Sequence, residues 1–133
     1  MHQSYTLNDF HFDDDLYGHN RIAGIPIHLY RAELLYAAPC GFYAGPNVQW
    51  NLTRYPVDHA NTFFADAYTL VGFKIGYRRD KGFSVFFEAK NLVNERYAAS
   101  IEPIADARTV TDPIQIFQPG DGRSFYGGVS WSW

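Results

Sequence analysis

The chain is dominated by stretches in which apolar and polar residues alternate one by one, and this period of two constrains its fold most. In residues 42–52, for example, the even positions are apolar and the odd positions are polar or small. Because successive side chains of a β-strand point to opposite faces, each such stretch predicts a two-faced strand. A further strand over residues 5–12 is weaker, since its phase slips between Leu7 and Phe10. The clear stretches are residues 29–36, 42–52, 69–78, 83–90 and 124–133.

The connections between these strands alternate between short and long. The sequences PCG and DKG are short enough for tight hairpin turns of about three residues. The long connections are residues 13–24, 55–66 and 92–122. Short turns therefore fall at one end of the sheet and long loops at the other, as in a transmembrane barrel with short periplasmic turns and long external loops. No domain boundary or linker interrupts this order.

The composition fits one domain with an unusually large aromatic surface. Aromatic residues make up 18% of the 133 residues and charged residues only 19%, which argues against disorder and a coiled coil. Apolar runs stay far below the ~20 residues of a membrane-spanning helix, but a spanning strand needs only about 9 to 11 residues of alternating character. The formal net charge is −3 and no basic run is present, so nucleic acid is not an expected partner.

The placement of charge agrees with a membrane-facing surface. A Lys or Arg on the lipid face costs about 2 to 4 kcal/mol at the bilayer midplane. Arg54, Arg79 and Arg123 fall in the apolar phase, but only at strand ends, where long side chains can reach water. The other strand charges lie on the face opposite the apolar stripe: Arg31, Glu33, Lys74, Glu88 and Lys90.

The apolar face carries bulky aromatic residues at strand ends and smaller residues between them, which resembles two interfacial girdles around a lipid band. A soluble β-sandwich or lipocalin-like barrel would also alternate, but it would pack its apolar face inward. The aromatic residues at strand ends are Phe42, Trp50, Tyr77, Phe83, Phe125, Trp131 and Trp133.

Two segments near the end of the chain resemble the last two strands of a TonB-dependent outer-membrane receptor. They are FSVFFEAKNLVNERY and PGDGRSFYGGVSWSW, in which NLVNERY resembles the end of the penultimate strand and PGDGRSFYGG the turn into the final strand. Upstream, GHNRIAGIP and ADAYTLVGFKIGYR are similar to preceding strands of that family. Trp133 fits the aromatic C-terminal residue of bacterial outer-membrane proteins.

The resemblance implies an all-β antiparallel meander of about six strands, with residues 1–133 forming a C-terminal segment of a transmembrane barrel. The resemblance also implies that the whole receptor is a 22-strand barrel, blocked by an N-terminal plug domain with a TonB-contacting box ahead of it. This chain supplies neither, and its start has no export signal, so we expect a fragment. About six strands are also fewer than the eight of the smallest membrane barrels. Pro46 departs from the strand pattern and predicts a bulge or a local break.

The implied function is active uptake of a scarce nutrient such as a ferric siderophore, haem, cobalamin or a glycan across the outer membrane of a Gram-negative bacterium. The expected partners are the lipid bilayer, the remainder of the barrel and the plug, with TonB reached only through the N-terminal part. No catalysis and no cofactor are expected. A passive outer-membrane pore or structural barrel remains an alternative, as does a secreted soluble β-barrel that binds an apolar ligand.

No catalytic, cofactor-binding or metal-binding residue is predicted. A loop segment could offer carboxylate and imidazole ligands to a metal through His11, Asp13, Asp14, Asp15 and His19, and Asp58 with His59 is a weaker version. Solvated loop residues explain both patterns more simply. Gly120 and Gly122 indicate a turn rather than a phosphate loop, and the sequon at Asn51 carries no meaning in a bacterial outer-membrane protein. Residues in the phase of the barrel lumen could contact the plug or line the passage, or form a salt-bridged, solvated face: Arg31, Glu33, Asn47, Gln49, Lys74, Glu88 and Lys90.

Overall fold

The computed structural model describes residues 1–13, 16–111 and 115–133. Its main element is one antiparallel sheet in which the long strands follow one another in chain order, β1-β2-β4-β7-β8-β11, with β3 beside β4. This order confirms the predicted all-β meander. The strands of this sheet are β1 His2–Leu7, β2 His28–Glu33, β3 Tyr36–Ala37, β4 Phe42–Asn51, β7 Tyr68–Tyr77, β8 Gly82–Lys90 and β11 Ser124–Ser132.

The long connections carry short elements of their own. Strands β5 Tyr55–Pro56 and β6 Phe64–Ala65 pair with each other between β4 and β7. Strands β9 Ala98–Ile101 and β10 Phe117–Pro119 form a second small hairpin between β8 and β11, with a 3-10 turn at Ala107–Thr109. In the part of the chain that the structure describes, no helix is long and apolar enough to cross a membrane.

Two tight turns join the long strands at one end of the sheet, as PCG and DKG predicted. Gly41 has φ 98° and its N–H donates to the Ala38 carbonyl at 3.0 Å, and Gly82 has φ 92°. Glycine adopts such angles without the steric cost that a Cβ would bring. All three long loops leave the opposite end of the sheet, so the predicted asymmetry between the two ends is confirmed.

The register places the two phases on opposite faces. Phe73 pairs with Pro46 on one side and with Ala89 on the other, while Lys74 pairs with Gly45 and Glu88. Across strands β7, β8 and β11, Val85 pairs with Tyr77 on one side and with Val129 on the other, so these three residues share one row of the sheet. Directly paired residues of antiparallel strands lie on one face, and neighbours along a strand on opposite faces. Phe73 and Lys74 therefore point to opposite sides, as predicted.

Pro46 breaks the sheet on one side only. Strand β4 keeps an unbroken register with β7 through Pro46. On the other side β2 ends at Glu33 and β3 begins at Tyr36, and the Leu34 N–H donates to the Pro46 carbonyl at 3.0 Å. Proline has no N–H to return that bond, so pairing lapses for two residues and resumes in the same register. The prediction of a local break is thus confirmed, whereas no bulge forms at Pro46.

The first strand was predicted too late in the chain. It runs from His2 to Leu7 instead of over residues 5–12, and it pairs with β2 along its whole length. The Asn8 N–H donates to the Ile27 carbonyl at 2.9 Å, and its side chain donates to the Pro26 carbonyl at 2.9 Å. The phase slip after Leu7 therefore marks the end of the strand and the start of a loop.

The sheet is open among the described residues. Strands β1 and β11 stand at its two edges, each with one hydrogen-bonded neighbour, and β11 pairs with β8 from Ser124 to Ser132 as predicted. The strands are staggered, since Ala89 near the end of β8 pairs with Phe73 in the middle of β7. A stagger of this kind is what strands that tilt in a barrel wall require.

Candidate functional site

One face of the sheet is polar and bounds a hollow of about 630 Å³. Cross-strand pairing brings the predicted lumen residues together there, because Arg31 pairs with Gln49, and Glu33 with Asn47. All seven of these residues line the hollow: Arg31, Glu33, Asn47, Gln49, Lys74, Glu88 and Lys90.

The strongest contact on this face is an ion pair that spans β4. The Lys74 ammonium on β7 lies 2.6 Å from a carboxylate oxygen of Glu33 on β2, and Glu88 pairs with Lys74 in the β7–β8 register. Both side chains of the ion pair are partly buried, with 38% of Lys74 and 30% of Glu33 exposed. This ion pair joins side chains of β2 and β7 on the same face, so the salt-bridged interpretation holds for Lys74 and Glu33.

Hydrogen bonds continue this polar layer toward the long-loop end. The Arg31 guanidinium donates to Gln49 at 3.1 Å, and the Gln49 amide donates to the Tyr68 hydroxyl at 3.3 Å. Toward the C-terminal strand, the Lys90 ammonium lies 4.8 Å from the centre of the Tyr126 ring. A cation over an aromatic face is attracted by the ring quadrupole. The face can therefore hold water, ions or polar groups of a passing solute.

The opposite face is apolar and exposed. Phe87 and Phe125 stack with their ring centres 6.0 Å apart, and Trp50, Tyr30 and Tyr5 lie in one row near the long loops. Phe42 and Trp50 mark the two ends of β4, about 27 Å apart along the strand at ~3.4 Å per residue. Arg54, Arg79 and Arg123 lie outside the strands. The large apolar side chains exposed on this face include Phe42, Trp50, Phe73, Phe83, Val85, Phe87, Phe125, Val129 and Trp131.

The described parts of the three long loops form one assembly, which we name the loop cap: residues 8–13, 16–27, 52–67, 91–111 and 115–123. A small apolar core lies within it, where Tyr55, Val57 and Ala65 are buried and Ile101 and Phe117 pack against them. Burial raises the pKa of Tyr55 to about 12, so its hydroxyl stays neutral. The sequence predicted loops in these three segments and gave no sign of a shared core.

Asp58 is fully buried at the centre of the loop cap. One carboxylate oxygen accepts from the backbone N–H groups of Thr62 at 2.8 Å and Phe63 at 2.9 Å. The other accepts from the Ala107 N–H at 3.0 Å and from the Thr62 hydroxyl. Burial alone would raise the pKa of Asp58, but the hydrogen bonds from Ala107, Thr62 and Phe63 outweigh it and lower the pKa below its ordinary value. The carboxylate is thus a charged structural group rather than a free ligand.

Asn61 connects the same loop to the first one. Its side-chain oxygen accepts from the Arg21 N–H at 2.9 Å, and its amide donates to the Arg21 carbonyl at 2.9 Å. The residue has φ 55°, a conformation that asparagine tolerates better than most residues. The ring of His59 beside it packs on Phe12 and Tyr17, with ring centres 4.9 and 5.5 Å away.

Asn91 ties the two segments that carried the family resemblance to each other. This residue is 5% exposed, and its amide donates to the carbonyls of Glu95 at 2.9 Å and Asp121 at 3.0 Å. Asn94 accepts from the Arg123 N–H at 3.0 Å. NLVNERY and PGDGR therefore form a clasp between the end of β8 and the start of β11, and Gly120 and Gly122 belong to its turn.

The loop residues considered as metal ligands do not assemble into a cluster within the described ranges. His11 lies 3.8 Å from Asp9, while Asp14 and Asp15 lie outside the described residues. No group of three or more His, Cys, Asp or Glu side chains that could hold a metal occurs in residues 1–13, 16–111 and 115–133. Asn51 of the sequon is fully buried.

A polar inner face, an apolar outer face and long loops at one end are the geometry of an outer-membrane barrel wall. A family model described as "TonB dependent receptor-like, beta-barrel" matches residues 2–92. The chain belongs to this family. The TonB-dependent receptor barrel is a transporter of the outer membrane of Gram-negative bacteria and not an enzyme. The match ends just after β8, and β11 is joined to the matched part by its pairing with β8 and by the hydrogen bond from the Asn91 amide to the Asp121 carbonyl.

Proposed function

We propose that the chain forms the C-terminal wall of a TonB-dependent receptor barrel, with three of its external loops, and serves the active uptake of a scarce nutrient. The observation that carries this proposal is the division of one open sheet into a salt-bridged face and an aromatic face. Lys74 and Glu33 lie on the first, and Phe73 and Trp131 on the second. A wall with lipid on one side and a polar passage on the other needs this division.

The remaining partners follow from the edges and the polar face. Strands β1 and β11 each have a free edge among the described residues, which the remainder of the barrel would pair. The polar hollow would face a plug domain supplied by the N-terminal part of the receptor, and TonB would act through that part. The proposed cargo is a nutrient too large and too rare for passive diffusion, such as a ferric siderophore, haem, cobalamin or a glycan.

Uptake by intact cells tests the proposal. Cells with and without the gene would be given radiolabelled ferric hydroxamate and catecholate chelates, haemin, cyanocobalamin and a maltodextrin, each with and without a protonophore. We expect saturable uptake of one of these compounds that the protonophore abolishes. Unsaturable entry of small solutes that the protonophore does not change would instead indicate a passive pore.

A pair of variants then tests the polar face itself. Glu88→Gln removes one of the two carboxylates beside Lys74 on the lumen side, while Phe87→Leu changes the neighbouring residue on the lipid side. We expect Glu88→Gln to change the apparent KM or the rate of uptake, and Phe87→Leu to leave both unchanged at equal amounts of receptor in the membrane. Equal effects of the two changes would contradict a passage along the polar face.

A further inference from the structure

We infer that Asp58 and Asn61 fasten the three long loops into a single preassembled loop cap, so that these loops move together and do not close one by one. Both residues lie in residues 52–67, the loop between β4 and β7. Asp58 holds the loop that follows β8, and Asn61 holds the loop that precedes β2. The middle loop is therefore bonded to both of its neighbours through side chains only three positions apart.

The bond to the last loop has several parts. The Ala107 N–H donates to the buried Asp58 carboxylate at 3.0 Å, and a parallel backbone bridge joins Asp58 to Ile104. Beside it, the N–H groups of His59 and Ala60 donate to carbonyls of the last loop at 2.9 Å each. Hydrogen bonds to a charged, buried acceptor are stronger than neutral ones, and an unpaired buried N–H is costly. Separation of these loops would leave several such groups unpaired.

The bond to the first loop imitates the pairing of two strands. Asn61 gives and takes one hydrogen bond with the backbone of Arg21, as a partner residue in a β-ladder would. The Asn20 amide donates to the His59 carbonyl at 3.0 Å, and the Gly24 N–H donates to the Pro56 carbonyl at 2.8 Å. Contacts on both sides of Arg21 thus bind the first loop to the middle loop.

A shared core under these bonds makes independent movement costly. Val57 is fully buried next to Asp58, and Ile27 of the first loop and Ile101 of the last loop pack on the same cluster. Withdrawal of either outer loop would expose this cluster to water. Loops that close separately around a ligand have few buried contacts with one another, and these three have many.

Hydrogen exchange of the full protein in isolated outer membranes tests this inference. Asp58→Ala removes the bond from Ala107 of the last loop, together with the bonds from Thr62 and Phe63 of its own loop. Among the described residues, no hydrogen bond or ion pair joins the Asp58 side chain to the first loop. If the loop cap is one body, amide exchange becomes about tenfold faster or more in the first loop, residues 16–24, as well as in residues 102–111. If exchange rises only in residues 52–67 and 102–111, the loops are independent and the inference is wrong.

A second variant, Asn61→Gly, tests the coupling in the opposite direction, and Asp66→Asn is the matched control. Asn61→Gly keeps the freedom for a positive φ, removes the bond to Arg21, and should speed exchange in residues 102–111, because coupling between sites is reciprocal. Asp66→Asn alters an exposed carboxylate of the same loop that pairs with Arg54 alone among the described residues, and should leave both outer loops unchanged. Equal spreading from Asp66→Asn would overturn the inference.

Protection of strands β4 and β7 shows whether each variant keeps its sheet. If Asp58→Ala also lowers protection there, Thr62→Val provides the milder change, since it removes only a hydroxyl that donates to the Asp58 oxygen that also accepts from Ala107. The criterion stays the same. Faster exchange in residues 16–24 with intact strands supports a single loop cap, and a change confined to the middle and last loops refutes it.

Discussion

The sheet and the loop cap use their apolar residues in opposite ways. In the sheet, large side chains of the outer face stay exposed, such as Val129 at 72% and Trp131 at 67%. In the loop cap, Tyr55 and Val57 are buried, although the described part of this region has no long strand. Buried apolar area stabilises by roughly 25 cal/mol per Å², so the loop cap gains this from its own packing while the outer face gains it only from lipid. The wall is thus built for a bilayer and the loop cap for water.

The largest expected effect of this difference is on solubility. Purified without detergent, the 133-residue chain should precipitate or form large oligomers, because its aromatic face and its two free strand edges would both be exposed to water. Sedimentation velocity in buffer, and then in detergent micelles, measures this directly. A compact monomer in plain buffer would show that the outer face finds cover within the chain, and the comparison of the two regions would then fail.

The next effect separates the two faces of the wall. Phe73→Lys places a charge in the lipid-facing row and should weaken folding into vesicles by about 2 to 4 kcal/mol. Lys74→Gln changes the neighbouring residue on the polar face and should cost much less, since a polar side chain stays on a polar surface. Denaturant titrations of both variants in lipid vesicles give the two free energies of folding. Equal losses would mean that the outer face does not meet lipid.

The two faces of the sheet could be predicted from the sequence, because alternation with a period of two assigns each residue to one face when one face meets lipid and the other water. It placed Phe73 and Lys74 on the correct faces, and the short connections PCG and DKG between the alternating stretches correctly predicted the tight turns. It failed at the first strand, where the phase slip at Leu7 was taken as a weakness within a strand although it is the end of that strand. The single-sided break opposite Pro46 depends on which neighbour its missing N–H faces, and no residue pattern shows that.

The loop cap was not predictable in the same way. Asp58 appeared in the sequence only beside His59, as one half of a weak metal pattern, and its partner Ala107 lies 49 positions away. A hydrogen bond from a side chain to the backbone of another loop depends on the path of both loops. Loops have no repeating sequence pattern from which that path could be predicted. The asparagines of NLVNERY could have given a signal, since asparagine favours turns and a positive φ, and Asn91 and Asn94 have φ values of 49° and 56°.

A third effect lies at the border of the two regions, in the clasp formed by Asn91. Asn91→Gly keeps the backbone freedom and removes the buried amide, so it should loosen the connection to β11 by about 1 to 3 kcal/mol. Asn91→Ala should cost more, because alanine adds strain at φ 49°. Proteolysis rates within residues 91–123 of the membrane-inserted protein report this opening. A smaller loss for Ala than for Gly would show that the positive φ is not required.

The smallest effect concerns acid, and it should reach the loop cap before the wall. The pKa of Asp58 in the folded protein lies below its ordinary value, because hydrogen bonds from Ala107, Thr62 and Phe63 favour the charged form. The stability that this carboxylate contributes is therefore complete above the unfolded pKa of about 4, and it declines as the pH falls through the lower folded pKa. At neutral pH this contribution is complete and does not change with pH, so its pH dependence appears only in acid.

A second carboxylate of the loop cap, Asp106, also has a pKa below its ordinary value. Hydrogen bonds from Arg108 lower the pKa of the partly buried Asp106 to about 2, so this carboxylate loses its charge only in strong acid. Pepsin cleavage within residues 52–67 and 91–123 reports the loop cap, and fluorescence of Trp50 and Trp131 reports the wall. Below pH ~4, cleavage should rise before the fluorescence changes. The Asp58→Asn variant should be cleaved readily throughout, with a flatter pH profile. If its profile matched that of the unaltered protein, another group would control the acid response, and the charge of Asp58 would not be what distinguishes the loop cap from the wall.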